Sequence, residues 1–208
     1  MKNTFFDAFY GASACYFGQE PTKSLVRFLS RYDVKPGKVI DIGAGEGRNT
    51  FYLAEKGFQV TAIEPSVIGA REILSQAQSF SQDIYVINDV YLTQTLTEID
   101  FDIIVAVTSL DHMIYDDVIQ SVLDIKQRLK KGGYVFAVVF TEDDPGNRND
   151  VKNASDCANQ IKHYFRQNEL KKLFSDFEIL EYKETETVDE SHGKPHKHNK
   201  ATLVAKKQ

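Results

Sequence analysis

The sequence predicts a doubly wound α/β fold, a seven-stranded sheet that is mostly parallel, with one antiparallel strand and helices on both faces. Three observations carry that expectation. Short apolar runs alternate with segments of helical spacing through most of the 208 residues. The run Val39-Ile40-Asp41-Ile42 passes directly into glycines at 43, 45 and 47, and the next apolar run, Phe58 to Ile63, ends in Glu64. The chain closes on two extended segments joined by a polar stretch, which reads as an antiparallel hairpin at one sheet edge.

Taken in order, Met1 to Gly18 is aromatic-rich and reads as irregular. Helical spacing runs from Pro21 to Tyr32, with Leu25, Val26, Phe28 and Leu29 as its apolar stripe and Pro21 in the first turn. Asp33 to Gly37 is a turn. Lys38 to Ile42 is the first strand, Arg48 to Lys56 a helix, and Phe58 to Ile63 the second strand. Ser66 is a suitable N-cap for a helix to about Ala77. Strands follow at Ile84 to Asn88, ending at Asp89, and at Phe101 to Val107. Asp111 is placed to cap a long helix to Lys130, with Ile114, Val118, Ile119, Val122, Leu123 and Leu129 facing inward. Gly132-Gly133 turns the chain into a fifth strand, Tyr134 to Phe140.

The polar stretch from Thr141 to Gln160 has the length of a lid loop. A helix from Gln167 to Ser175, a strand from Phe177 to Val188, a loop from Asp189 to Asn199 and a last strand, Ala201 to Ala205, complete the chain. The whole reads as one domain: residues 1–36 a helical cap, 37–140 the core, and 141–208 the lid loop, helix and hairpin. If the sixth strand is parallel to the others, the hairpin loop emerges at their carboxyl ends, where open α/β sheets bind ligands.

Composition narrows the functional class. A formal net charge of −5 argues against a general nucleic-acid binder, which needs a basic surface. Cys15 and Cys157 make no disulfide framework, as expected in a reducing, cytoplasmic setting. Phe5-Phe6 is interrupted at once by Asp7, so the N-terminus lacks the apolar stretch of a signal peptide, and no segment reaches membrane-spanning length. The sequence carries no signature of oligomeric state.

The glycine spacing selects the ligand. Dinucleotide loops need G-x-G-x-x-G, whereas here the spacing is G-x-G-x-G and Arg48 stands where the third glycine would be. Glycines let backbone approach a ligand closely, a helix N-terminus favours an anionic group, and an acid at the next strand end, here Glu64, accepts from ribose hydroxyls. Asp41-Ile42-Gly43-Ala44-Gly45-Glu46-Gly47 resembles motif I of class I S-adenosylmethionine-dependent methyltransferases, whose sheet is Rossmann-like. Further segments resemble the tellurite-resistance TehB-like branch: Gly45-Glu46-Gly47-Arg48-Asn49, Phe140-Thr141-Glu142-Asp143-Asp144, Phe165-Arg166-Gln167-Asn168-Glu169-Leu170, Glu181-Tyr182 and Ala201 to Lys207. Tyr16-Phe17-Gly18-Gln19-Glu20-Pro21 is similar to the segment such enzymes fold over the cofactor.

The resemblance implies S-adenosylmethionine as cofactor, with Gly43, Ala44, Gly45, Arg48 and Asn49 around its methionyl part and Asp41 near the ammonium. It places Glu64, followed by Pro65, on the ribose, Asp89 and Val90 at the adenine, Thr108 and Ser109 near the sulfonium, and Tyr16 in the covering segment. The acceptor it implies is a small molecule, such as a thiol or a selenium or tellurium oxyanion. His192 is the candidate catalytic residue on the acceptor side.

Other readings are weaker. His192, His196 and His198 in one loop, without a local Cys or Asp at familiar ligand spacing, lead to the expectation of no metal. Tyr52-x-x-x-Lys56 has a dehydrogenase spacing but sits directly after the glycine loop, outside the place that chemistry uses. Thr108-Ser109-Leu110-Asp111 lacks the Asn/Asp-Pro-Pro-Tyr/Phe signature of nucleobase amino methylation. The rivals to methyl transfer are a non-catalytic nucleoside-binding module on the same fold and an NAD-dependent oxidoreductase, which the glycine spacing disfavours.

Overall fold

A computed structural model describes residues 5–13, 15–80, 83–94, 96–150, 154–155, 157–190 and 192–208. The expectations for residues 1–4, and for 151–153 and 156 within the expected lid loop, lie outside them. Seven strands form one sheet in the order β3-β2-β1-β4-β5-β7-β6. By their contacts the residues fall into two compact units, Met1–Val105 and Ala106–Gln208.

The first unit contains α1 (Phe5–Ala12), α2 (Lys23–Arg31), β1 (Lys38–Ile42), α3 (Arg48–Glu55), β2 (Gln59–Ile63), α4 (Val67–Phe80), β3 (Ile84–Ile87) and most of β4 (Phe101–Val107). β1 pairs in parallel with β2, and β2 with β3. Val39, Ile40, Ala62 and Ile63 are fully buried, as continuous apolar runs must be when helices cover both faces of a parallel sheet. Leu25 and Phe28 of α2, Leu53 of α3 and Ile73 of α4 belong to the same core.

The aromatic N-terminus, expected to be irregular, forms α1. Its rings build a cluster in which Phe6 and Tyr10 both pack on Phe17 and Phe9 meets Tyr16 edge-on. Asp7 is buried and accepts from the Ser66 hydroxyl at 2.6 Å and the Ile68 N–H at 3.1 Å. Ser66 does cap α4 as its sequence position implies, its hydroxyl oxygen accepting the Gly69 N–H at 3.1 Å.

The second unit contains a short 3-10 turn (Leu110–His112), α5 (Tyr115–Arg128), β5 (Leu129–Phe140), a second 3-10 turn (Ala158–Gln160), α6 (Glu169–Leu173), β6 (Glu178–Asp189) and β7 (His196–Lys206). Asp111 does not cap the long helix. It is fully buried in the 3-10 turn, and its carboxylate accepts the Phe140 N–H at 3.0 Å, tying that turn to the end of β5. The helix begins later, and it ends at Arg128 because Leu129 is already extended. The Lys207 ammonium donates at 2.6 Å to the carbonyls of Lys126 and Leu129, satisfying acceptors at that helix end.

β7 runs antiparallel to both β5 and β6, so β6 shares the direction of β5. The β6–β7 turn therefore lies beyond the carboxyl end of β5, as the sequence reading anticipated. The last strand is longer than expected and the sixth is shifted by one residue, since the ladder continues through Thr187↔His198 to Asp189↔His196. The inward positions there are histidines rather than aliphatic residues, which hid the two-residue alternation. Cys15 and Cys157 are free thiols, and no helix among the described residues is long and apolar enough to cross a membrane.

Gly47 adopts φ +92°, and a Cβ there would come within 2.7 Å of the Phe51 ring and 2.9 Å of Ile73 Cγ1. Left-handed strain and overpacking act together at this position. Gly47→Ala is expected to lower stability by about 2–3 kcal/mol, read as a lower urea midpoint at unchanged slope. A loss below about 0.5 kcal/mol would show that the turn tolerates a side chain.

Candidate active site

The first unit places a buried carboxylate at the end of β2. Glu64 is 3% exposed; its Oε2 accepts the Gly45 N–H and its Oε1 the Ser66 N–H, each at 2.7 Å. Burial holds its acidity at about 7, opposed by those two N–H groups, while the Asp41 and Asp7 charges push the same way as burial. The approach of the loop to α4 is close: a Cβ on Gly69 would lie 2.6 Å from the Gly45 carbonyl oxygen. Asn88, just past β3, points its amide NH₂ at the Glu64, Pro65 and Ser66 carbonyls, 2.9 to 3.2 Å away, and so fixes the course of the chain after Glu64.

The glycine turn occupies the predicted place, and the chain itself takes up its N–H groups. Gly43 and Ala44 both donate to the Ile63 carbonyl, Gly45 donates to Glu64 and Gly47 to the Ala44 carbonyl. Asp41 is also engaged within the protein. It is 1% exposed and accepts from the Thr50 hydroxyl at 2.7 Å, which anchors α3 to β1, and burial raises its carboxyl to about 6.

Arg48 and Asn49 hold chain rather than open space. The Arg48 guanidinium donates to the Phe17 carbonyl at 2.8 Å, and the Asn49 side-chain oxygen accepts the Thr22 N–H at 2.9 Å. Glu46 does the same, accepting the N–H groups of Cys15 at 2.7 Å and Tyr16 at 2.6 Å. Burial lifts the Glu46 carboxyl above its ordinary value despite those bonds. Residues 15–22 are thus fastened over the turn by the three side chains that follow Gly45, with the Tyr16 ring packed between Phe9 and Phe17. The Tyr10 hydroxyl lies 3.1 Å from where a Gly45 Cβ would sit. Glu46, Asp7 and Tyr10 were not singled out in the sequence, because their partners lie far away in the chain.

Asp89 caps a turn, its Oδ1 accepting the Val90 N–H at 2.7 Å and the Thr93 hydroxyl at 2.9 Å; Val90 is exposed.

In the second unit, Thr108 sits at φ +46°, a strained conformation for a β-branched residue, and donates its N–H to the Val138 carbonyl at 2.7 Å. Ser109 Oγ and Asp111 Oδ1 are buried without a hydrogen-bond partner among the described residues. His192 Nε2 lies 3.5 Å from the Ser155 hydroxyl, and burial pushes its basicity down to about 4. It is neutral near pH 7 and is a weak general base.

Asp189, His196 and His198, read in the sequence as a loop without a metal set, bring ligand atoms within 4.8 Å of one another. Their convergence depends on strand pairing, which spacing within a supposed loop does not display; the alternation His-Lys-His was the signal present. Asp144 adds to this cluster, with its Oδ2 3.0 Å from His198 Nδ1.

Comparison with known proteins agrees with this architecture. The chain is 26% identical over 212 residues to a protein named hemagglutinin 1 from Eikenella corrodens, covering 96% of this chain and 65% of that one. It is 29% identical over 186 residues to the probable S-adenosyl-L-methionine-dependent methyltransferase TehB of Haemophilus influenzae, covering 84% of this chain and 59% of the relative. The chain therefore spans about six tenths of the length of the curated relatives it matches. The crystal structure of TehB from Haemophilus influenzae matches with a TM-score of 0.76 at 23% identity, over 98% of this chain and 67% of that one. A Burkholderia thailandensis 1,6-didemethyltoxoflavin-N1-methyltransferase, solved with 1,6-didemethyltoxoflavin and S-adenosylhomocysteine, matches with a TM-score of 0.73 at 20% identity, over 98% and 85% of the chains. These structural likenesses establish the class I methyltransferase fold, and sequence and fold are both TehB-like. A family model for the methyltransferase domain matches residues 16–180, and the chain belongs to that family.

Proposed function

We propose that the protein transfers a methyl group from S-adenosylmethionine to a small-molecule acceptor in a cytoplasmic setting. The observation that carries this reading is Glu64, a buried carboxylate at the carboxyl end of β2 beside a tight glycine turn. A carboxylate offers about four lone-pair directions. Two are taken by the Gly45 and Ser66 N–H groups, one on each oxygen, so each oxygen retains capacity for one ribose hydroxyl. The donor chemistry of the site thus fits the nucleoside part of the cofactor.

When bound, S-adenosylmethionine supplies a methyl group already activated by its sulfonium. The chain has only to position the acceptor and exclude water, and well-oriented groups reach effective molarities of about 10⁵–10⁸ M. Glu46, Arg48 and Asn49 keep the aromatic segment 15–22 over the turn, where its rings shield the site from solvent. Asp89 serves the adenine amino group through its remaining acceptor capacity. Ser109, whose buried hydroxyl oxygen has no partner among the described residues, and Thr108, in a strained conformation, stand just past β4 as further candidates for ligand contact. The acceptor is a soft nucleophile, a thiol or a selenium or tellurium oxyanion, because such groups need no strong base and His192 is a poor one.

Two outcomes test the cofactor site. Glu64→Ala is expected to weaken S-adenosylhomocysteine binding about 10- to 100-fold in calorimetric titration, since hydrogen bonds to a charged group are lost. Unchanged affinity would remove Glu64 from the site, and binding of NADH in place of S-adenosylhomocysteine would overturn the reading altogether.

The second outcome concerns pH. Glu64 is ionised above about 7, and protonation at lower pH removes acceptor capacity from one oxygen. S-adenosylhomocysteine affinity is therefore expected to fall about tenfold from pH 8 to pH 6, with a flatter profile in Glu64→Gln. The folded state also holds this proton between the ordinary value of 4.5 and about 7, so its contribution to unliganded stability is lost as pH rises through about 7. Asp41, raised to about 6, acts with the same sign. His192, lowered to about 4, acts with the opposite sign below its ordinary value of 6.5. The Glu64 assignment is therefore read from the difference between the unaltered protein and Glu64→Gln, and identical melting-temperature profiles in the two would contradict it.

A further inference from the structure

The end of the β6–β7 hairpin holds two histidines whose hydrogen bonds leave them facing each other. His196 and His198 are two residues apart on β7, so their side chains share a face, and both are buried. Asp189 is the register partner of His196 on β6. His196 Nδ1 lies 2.8 Å from the Lys194 carbonyl oxygen, which only accepts, so Nδ1 carries the hydrogen. His198 Nδ1 lies 3.0 Å from Asp144 Oδ2. That carboxylate also accepts the Asn199 N–H on Oδ2 at 3.0 Å and the Gly146 N–H on Oδ1 at 2.8 Å, so it acts as an acceptor throughout. His198 Nδ1 therefore carries its hydrogen as well.

Each neutral ring is left with a lone pair on Nε2, and the two Nε2 atoms are 3.1 Å apart. Two lone pairs at that separation repel unless a cation sits between them. A tetrahedral ion with metal–nitrogen bonds of about 2.0–2.1 Å holds two nitrogens roughly 3.3 Å apart, close to this spacing. Asp189 provides a third donor, with a ligand atom within 4.8 Å of those of both histidines. The Lys194 carbonyl and Asp144 supply the outer hydrogen bonds that fix ring orientation at metal sites. Lys200 approaches Asp189 Oδ2 at 3.8 Å, while Asp189 Oδ1 is 3.9 Å from His192 Nδ1. The His192 ring stands edge-on to that of His196, with centroids 4.8 Å apart.

We propose that Asp189, His196 and His198 bind a divalent transition-metal ion through one carboxylate oxygen and two imidazole Nε2 atoms. The set leaves a coordination position, bordered by His192, for water or a small anionic ligand. The proposal stands apart from the methyl-transfer reading, and its test requires neither cofactor nor turnover.

Protein free of affinity-tag histidines is titrated with Zn²⁺ by calorimetry and with Co²⁺ by visible absorption. The expected result is one ion per chain at micromolar affinity or tighter, with Co²⁺ d–d bands of a nitrogen- and oxygen-bound site. Asp189→Asn and His196→Ala should each lower affinity at least about 100-fold, and Asp144→Asn about 10- to 100-fold by releasing the His198 ring. Asp189 is only partly buried, so its variant is the one to read if His196→Ala does not fold. Absence of Zn²⁺ binding by the unaltered chain overturns the proposal, as does affinity unchanged in Asp189→Asn. A doubly protonated imidazole seen by NMR at neutral pH, without metal uptake, would assign the cation between the rings as a proton and also overturn it.

Discussion

The first unit depends on how a carboxylate is kept out of water. Glu64 is nearly inaccessible, and in an apolar setting an unpaired charge there would be costly. Its two oxygens hold the Gly45 N–H on one side and the Ser66 N–H on the other. One side chain thereby sets the distance between the glycine turn and the start of α4, and Gly69 is required for that approach. Asp7 completes the arrangement by taking the Ser66 hydroxyl and the Ile68 N–H, which docks α1 on the same helix end. The carboxyl proposed to serve a ribose is also the group that shapes its own surroundings.

The second unit repeats the device with Asp144. Buried to the same degree, this carboxylate gathers the Gly146 and Asn199 N–H groups and a histidine ring. It joins the segment after β5 to the start of β7, and in doing so selects the tautomer of His198. The residual polarity of this unit is directed rather than accidental. Ser109 and Asp111 each keep a buried atom without a partner among the described residues, and Thr108, just past β4, stays in a strained conformation. Such features persist where the surrounding structure enforces them, and they cluster at functional sites.

Much of the fold was legible because its signals are local. A strand buried on both faces must be apolar along its length, so β1, β2 and β4 announce themselves. The glycine turn followed by Arg48 is equally local, and its spacing departs from that of a dinucleotide loop. Where signals were not local, expectations slipped. Asp111 looks like a helix cap until β5 is seen to offer it the Phe140 N–H. α1 looks irregular because its order comes from aromatic packing and from Asp7, whose partners lie some 60 residues away.

The sequence by itself determined the order of the elements, the glycine turn, the acid at the end of β2 and hence the family of the chain. Backbone preferences and hydrophobic periodicity act over a few residues, so they can be read from neighbours. Tertiary structure decided what each polar group does. It gave the loop amides to Ile63 and Glu64, gave Arg48 and Asn49 to the N-terminal segment, and paired Asp189 with His196 across the hairpin. A hydrogen bond or a ligand set joins atoms by distance in space, and a linear sequence does not carry that distance.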